Sequence, residues 1–346
     1  MSFVTVALWV GLGLLALAIL VMIVLQFWGM AIRRAGMRPI TSSEIEAASS
    51  HSVTLPDGRL VGYRCYGSTD PASPVVVNIH GSGLEAGFEE TVHTQACDDL
   101  GVRGIAISLP GCGFTDDKPG RVVKDWPSED LAGVMTAEGV DTFHVTGHSQ
   151  GTPHAMAAAI AYPDRCIGLG LNAPLLPSAL VEQLQLGDTI GTGLTPSSHA
   201  LRSFWMGWYF GLMRLLLKSL PPSIISNSMT RGLPKVKQDT DLLDRFTTSM
   251  RRSVVRGTAG GTWETAQDTC FDWGIDVQGL EHTNACVWHA DDDTAIPSFQ
   301  GRWLADHLDA NYRHQAEGYG HLTYTRGQYR TAEGSMVAQL LAGISG

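Results

Sequence analysis

The 346-residue chain is poor in charge: Asp, Glu, Lys and Arg make up 17% of it, and none of them falls between Met1 and Ile32. Its 24 Lys and Arg against 34 Asp and Glu leave a formal net charge of −10, with the cations scattered. A surface that tracks phosphates needs clustered cations, so no nucleic-acid partner is expected. Cysteine is sparse too. Cys65, Cys97, Cys112, Cys166, Cys270 and Cys286 stand far apart without a Cys-x-x-Cys pair, which removes the common zinc and redox patterns. No metal and no cofactor is expected. The cysteines read as buried thiols in a reducing compartment, although their even number leaves disulfides open if the domain is exported. An Asn-x-Ser/Thr sequon, an internal repeat and a low-complexity tract are all missing.

The uncharged start is itself informative. Val4 to Met30 is dominated by Val, Leu, Ile, Ala, Trp and Phe, and about 20 apolar residues in a helix cross a hydrocarbon core. A cleaved signal peptide is the competing reading, but it carries a positive n-region, a shorter apolar stretch and a small-x-small cleavage site. Residues 1–32 are therefore expected to be a single transmembrane helix. Arg33, Arg34 and Arg38 come directly after it and nothing basic precedes it, so the positive-inside bias places the remainder of the chain in the cytoplasm. Residues 33–50 are small, polar and mixed in charge, and suit a linker or a short surface helix.

From residue 51 the pattern changes. His51–Leu55 and Arg59–Tyr66 flank Pro56-Asp57-Gly58, a hairpin signal, and Pro74–His80 is an apolar run suited to a strand buried on both faces. Helical and extended stretches then alternate: Glu89–Leu100, Val102–Leu109, Ser128–Glu138, Thr142–Gly147, Pro153–Tyr162 and Ile167–Leu171. The alternation resumes with Ala285–Trp288, Phe299–Leu308, Tyr312–Ala316 and Ala332–Ala342. Such alternation predicts an α/β fold, a mostly parallel sheet with helices on both faces. Residues 51–175 and 267–346 form its two parts. Between them, 176–266 is mainly helical, broken by Pro221-Pro222 and glycines, and is expected to be an inserted cap. The aromatic run Phe204–Met213 in that block suits an apolar lid over an acyl pocket, and suits a cap core equally well.

Gly147-His148-Ser149-Gln150-Gly151 lies between an expected strand and an expected helix. Alone the Gly-x-Ser-x-Gly pattern is also that of an ordinary Gly-Ser loop; in this setting it is a nucleophile elbow. A sharp strand-to-helix turn brings backbone against backbone, so both glycines are needed, and the turn lifts the Ser149 hydroxyl above the sheet edge. The Gln150 N–H, at the helix start, is then aimed at a carbonyl oxygen that becomes negative. Thr152 stands where many such elbows repeat a glycine. A Ser hydroxyl needs a base, and the base needs a carboxylate to orient it.

Taken together these segments resemble the α/β-hydrolase superfamily from about His51 to the C-terminus. His80-Gly81-Ser82-Gly83 is similar to its His-Gly oxyanion loop, which implies that the Ser82 N–H is the second oxyanion donor beside Gln150. Leu109 to Thr115 is similar to its Pro-Gly-x-Gly-x-Ser/Thr loop. The family order of nucleophile, acid and base implies His321, in Glu317-Gly318-Tyr319-Gly320-His321, as base, with His307 and His314 as rivals. It implies an acid after Ala285–Trp288, where Asp291, Asp292 and Asp293 are available. In the family's spacing the acid stands four places before a proline, here Pro297, which selects Asp293, although Ala290 replaces the usual glycine. His80, His148 and His289 are expected to pack or hydrogen-bond.

The resemblance implies a serine hydrolase that cleaves carboxylic esters through an acyl-enzyme on Ser149, and the anchor and apolar cap point to hydrophobic, lipid-like substrates. Amidase, thioesterase and aminopeptidase action would use the same triad. A receptor or scaffold that binds a small molecule without hydrolysing it is the alternative of a different class. Oligomeric state leaves no mark in the sequence.

Overall fold

The structure is a computed structural model that describes residues 2–34, 38–48, 50–118, 120–186, 211, 213–230, 233–257, 273–282, 284–315 and 318–343. The first element, α1, is Phe3–Arg34, and its Val4–Leu25 portion is long and apolar enough to cross a membrane, with none of it buried against the rest of the chain. At 1.5 Å per residue those 22 residues extend about 33 Å, close to the ~30 Å of a bilayer core. The expected linker contains a helix, α2 (Ser42–Ala47), started by a capping box in which Thr41 and Glu44 satisfy each other's backbone N–H groups.

Eight strands among the described residues form one sheet: β1 (His51–Thr54), β2 (Leu60–Gly67), β3 (Val75–Ile79), β4 (Arg103–Ile107), β5 (Phe143–His148), β6 (Cys166–Asn172), β7 (Ala285–Ala290) and β8 (Asn311–Gln315). Their spatial order is β1-β2-β4-β3-β5-β6-β7-β8. The β1–β2 and β2–β4 pairs are antiparallel and all others parallel, so the hairpin caps one edge of a parallel sheet. The hairpin turn uses Gly58 at φ 87°, as the Asp-Gly signal requires.

Helices cover both faces because side chains alternate along each strand. In β3, Val75, Val77 and Ile79 join the cluster that includes α4 (Ala132–Glu138), α5 (Gly151–Ala161) and α10 (Phe299–His307), whereas Val76 turns to α3 (Ala86–Leu100) and α11 (Met336–Ala342). Val77, Ile79, Ile105 and Ile107 are fully buried, each side chain contributing about 1.5–3 kcal/mol. The stretch expected as one helix from Ser128 opens as a π-helical turn, Pro127–Leu131, before α4.

Between β6 and β7 the described helices are α6 (Ser178–Gln183), α7 (213–219), α8 (Pro222–Met229) and α9 (Thr240–Ser253). The aromatic run from Phe204 to Phe210 lies outside the described residues. α9 crosses above the carboxyl ends of the central strands: Phe246 meets Phe88 edge-on at 5.6 Å, and Ser249 Oγ accepts the Glu85 N–H at 3.2 Å. The loops after β3, β4, β5, β6 and β7 all emerge on that edge, which is where ligands bind in open α/β sheets.

Candidate active site

The turn between β5 and α5 is strained. Ser149 adopts φ 51°, a left-handed conformation that side chains with a Cβ avoid, at a cost of order 1–3 kcal/mol. Three bonds hold it: the Ser149 N–H donates to the Asn172 carbonyl at 2.9 Å, and the Thr152 N–H and hydroxyl donate to the Ser149 carbonyl at 2.9 and 2.6 Å. Thr152 also accepts the Leu175 N–H at 3.1 Å, so the residue that replaces a glycine stitches the elbow to the chain leaving β6. The two elbow glycines are required sterically. A Cβ on Gly147 would stand 2.5 Å from the Gly151 carbonyl oxygen, and one on Gly151 would run into the Ile79 carbonyl.

Asp293 and His321, 28 residues apart, are brought together: His321 Nδ1 lies 2.7 Å from Asp293 Oδ2. The Asp293 side chain is fully buried while that of His321 is 22% exposed, so the acid is sealed and the base opens toward a ligand. Asp293 is turned inward by its own loop, since Oδ1 accepts the N–H groups of Ala295 at 2.8 Å and Ile296 at 3.0 Å. Burial pushes its carboxyl pKa up, but the facing His321, the His289 and His321 hydrogen bonds and the Ile296 amide outweigh this and hold it far below the usual carboxylate range. A charged Asp293 keeps the His321 proton on Nδ1 and leaves Nε2 bare. Asp291 instead pairs with Arg302 at the surface at 2.7 Å, and Asp292 accepts the Gly318 N–H at 2.8 Å.

His148 joins this pair to the elbow. Its ring lies 4.8 Å from the His321 ring and 4.2 Å from that of Tyr324. Its Nε2–H donates to the His321 carbonyl at 3.0 Å. Burial above all pushes the His148 pKa well below its ordinary value, so it remains a neutral donor. Tyr324 donates to Glu89 at 2.9 Å, and Glu89 faces His93 at 3.3 Å, which extends the buried polar network into α3.

Opposite the elbow stands the loop after β3. An ideal Cβ on Gly81 would lie 3.2 Å from the Ser149 Cβ and 2.7 Å from His148 Nδ1, so only glycine lets the loop approach this closely. Among the described residues neither the Ser82 nor the Gln150 N–H has an acceptor, which leaves both donors available. His80 fixes the loop: Nδ1–H donates to the Gly81 carbonyl at 2.8 Å and Nε2 accepts the Leu109 N–H at 2.9 Å. Burial lowers its pKa and keeps it neutral.

Of the rival bases, His307 stacks on Trp303 at 4.8 Å in α10, and His314 lies on β8 at the far edge of the sheet. His289 has a partner that sequence reasoning missed. Its Nε2 faces the Ile296 carbonyl at 3.0 Å and Asp293 Oδ2 at 3.4 Å, so one N–H spans both acceptors and braces the acid at the same oxygen that His321 uses. Its place four residues before Asp293 is the one available signal. Among the described residues no group of three or more His, Cys, Asp or Glu is gathered as metal ligands, and the five described cysteines are free thiols.

The family model for the alpha/beta hydrolase fold matches residues 74–327. The chain is 30% identical over 128 residues to a 2-hydroxy-6-oxononadienedioate/2-hydroxy-6-oxononatrienedioate hydrolase of Paraburkholderia phymatum, a match that spans 36% of this chain and 44% of that enzyme. Among solved structures, an esterase from Thermogutta terrifontis superposes with a TM-score of 0.61 at 18% identity, over 85% of this chain and 98% of that one. The enol-lactonase from Burkholderia xenovorans LB400 does so with a TM-score of 0.59 at 14% identity, over 84% of this chain and 100% of that one. By its family model, its sheet order and its elbow, this chain belongs to the alpha/beta hydrolase fold family of hydrolases.

Proposed function

We propose that the chain is a serine hydrolase of carboxylic esters, with hydrophobic, lipid-like substrates, anchored by α1 as a single-pass membrane protein with its catalytic domain on the cytoplasmic side. The observation that carries the catalytic reading is the Asp293–His321 pair, bonded at 2.7 Å and tied by His148 to the strained elbow at Ser149. The α6–α9 region acts as the cap over the acyl pocket. The anchor reading rests on the apolar length of α1 and on Arg33, Arg34 and Arg38 after it.

In the proposed reaction Ser149 Oγ attacks the ester carbonyl as His321 Nε2 takes the hydroxyl proton. Asp293, bonded to Nδ1–H, stabilises the imidazolium that forms. The carbonyl electrons move onto oxygen, which the Ser82 and Gln150 N–H groups hold; each such donor is typically worth about 2.7–4 kcal/mol in the transition state. As the tetrahedral species collapses, the C–O bond to the alcohol breaks and His321 returns the proton to the leaving oxygen. Water then attacks the acyl-enzyme, again giving its proton to His321, and the acid leaves with Ser149 restored.

Steady-state hydrolysis of p-nitrophenyl esters of graded acyl length tests this. Turnover that rises with acyl length and disappears in Ser149→Ala and His321→Ala supports it; no turnover of any ester by folded protein overturns it. The match to the Paraburkholderia enzyme favours one second reading, hydrolysis of a 2-hydroxy-6-oxo dienedioate. Such substrates are dianions, so kcat/KM for that acid above the best ester would select it.

A further inference from the structure

The segment that leaves α1 is pinned to the roof of the catalytic edge. Arg38 and Arg256 exchange two bonds: the Arg38 N–H donates to the Arg256 carbonyl at 3.0 Å, and Arg256 Nε–H donates to the Arg38 carbonyl at 3.0 Å. Arg256 is itself fixed, paired with Asp116 and donating to the Phe114 carbonyl at 3.4 Å. Both belong to the loop after β4, which leaves the sheet on the same edge as Ser149. The neighbouring Gly113 N–H donates to the Ser253 carbonyl at the end of α9, at 3.2 Å. From Arg34, the last residue of α1, the four peptide steps to Arg38 reach at most about 14 Å. The catalytic edge therefore stays beside the end of the apolar helix.

α7 adds the chemistry of a surface to this position. Arg251 of α9 donates to the Leu217 and Leu220 carbonyls at 3.1 and 2.7 Å, which fixes α7 next to the pin. Leu215 on α7 is 42% exposed and Ile224 on α8 is 51% exposed. Leu215 shares a helix face with Lys218, and Arg214 lies one turn before Lys218. Among the described residues neither cation has a carboxylate partner. Burial, then the charges of Arg214 and Arg38, holds the Lys218 ammonium below its ordinary pKa, which places Arg214 and Lys218 close together beside an Arg38 that is itself paired with Glu44 at 2.6 Å. Cations around exposed aliphatic side chains suit an interface that is anionic outside and apolar beneath.

We infer that the catalytic edge rests on the bilayer: Leu215 and Ile224 reach the headgroup level, Arg214 and Lys218 meet the phosphates of anionic lipids, and substrate approaches Ser149 from the membrane. This rests on the reading of α1 as an anchor and Ser149 as the nucleophile. A long tether would let the domain drift and turn; the Arg38–Arg256 pin shortens it to the few residues between Arg34 and Arg38. Ile160 and Ile167 provide an internal contrast, being also exposed but near the opposite edge, about 14 Å along α5 from the elbow and about 17 Å down β6 from Asn172.

The test uses the full chain in vesicles of phosphatidylcholine with and without phosphatidylglycerol, in a Cys65→Ser, Cys270→Ser background whose four remaining cysteines are buried. Single cysteines at Leu215→Cys, Ile224→Cys and Ile167→Cys carry an environment-sensitive fluorophore, and nitroxide-headgroup lipids act as quencher. The labels at 215 and 224 are expected to shift to the blue and lose most of their emission, more so with phosphatidylglycerol, while the label at 167 keeps its emission. Equal quenching at all three sites, or none at 215 and 224 in protein that sediments with the vesicles, overturns the orientation. Protein that stays in the supernatant overturns the anchor reading instead. Loss of ester turnover with quenching intact falls on the catalytic reading alone.

Discussion

Replacing Asp293 by Asn removes one charge without changing shape, and the surroundings decide which way the new amide turns. The Ala295 and Ile296 N–H groups, at 2.8 and 3.0 Å, require an oxygen at the Oδ1 position. Turning the NH2 toward them would set donor against donor in a buried loop, at about 1–3 kcal/mol for each group left unpaired. The amide therefore points its NH2 at His321 Nδ1, which must then accept, while the His289 N–H keeps the Ile296 carbonyl at 3.0 Å as its acceptor. The ring proton moves to Nε2, the atom that has to be bare to receive the Ser149 proton. The imidazolium of the transition state also loses its counter-charge. The expected loss in kcat is on the order of 10⁴-fold, about 5.4 kcal/mol, with KM little changed. The assay is steady-state hydrolysis of a p-nitrophenyl ester near neutral pH, with a circular-dichroism melt to establish that the variant is folded. Asp291→Asn, which breaks the surface pair with Arg302, should stay within about fivefold of wild type, the equivalent of the ~1 kcal/mol such a pair is worth at most. A folded Asp293→Asn variant within tenfold of wild type refutes the assignment of the acid.

Three further outcomes are expected from the same geometry. His148→Phe keeps a ring against Tyr324 but removes the donor to the His321 carbonyl; kcat should fall by roughly 5- to 10-fold, the worth of one hydrogen bond, and an unchanged kcat would show that His148 does not position the base. Gly151→Ala drives a Cβ into the Ile79 carbonyl and should lower stability by about 2–4 kcal/mol in urea unfolding; an unchanged midpoint contradicts the packing of the elbow. His144, lowered to about 4 by burial and then by His282, and His154, lowered to about 3 by burial and then by Arg121, stay neutral when folded. The unfolded chain binds protons at these sites below its ordinary pKa of about 6.5, so stability is full above that pH and falls as pH drops through it. Each histidine should remove about 2 kcal/mol between pH 7 and 5. Urea midpoints that do not move over that interval contradict their burial.

What could be read in the sequence was what local backbone geometry demands. Gly147 and Gly151 bracket Ser149 because no Cβ fits there, and that constraint is visible as spacing. Gly58, at φ 87°, is visible for a similar reason. Element starts were less legible where a side chain, not a hydrophobic period, sets them. α3 begins at Ala86 instead of Glu89 because the Glu85 carboxylate caps the Gly87 N–H at 2.9 Å. α11 begins at Met336 instead of Ala332 because its cap is Ser335, whose hydroxyl accepts the Ala338 N–H at 3.1 Å. Contacts between distant segments left no local trace. The bonds between Arg38 and Arg256, and that of Tyr324 with Glu89, join residues 218 and 235 positions apart. His289 lies only four residues from Asp293, yet its role depends on β7 ending in a loop that folds Ile296 back over it.

The proposed chemistry stands or falls with Ser149 as an activated nucleophile, and covalent trapping probes that role without any choice of substrate. Full-length protein treated with a fluorophosphonate and analysed by mass spectrometry of its peptides should carry one phosphonyl adduct, on the peptide containing Ser149. Labelling should vanish in Ser149→Ala and fall severely in His321→Ala. Folded wild-type protein that takes up no probe, or that takes it up at a residue other than Ser149, contradicts that role.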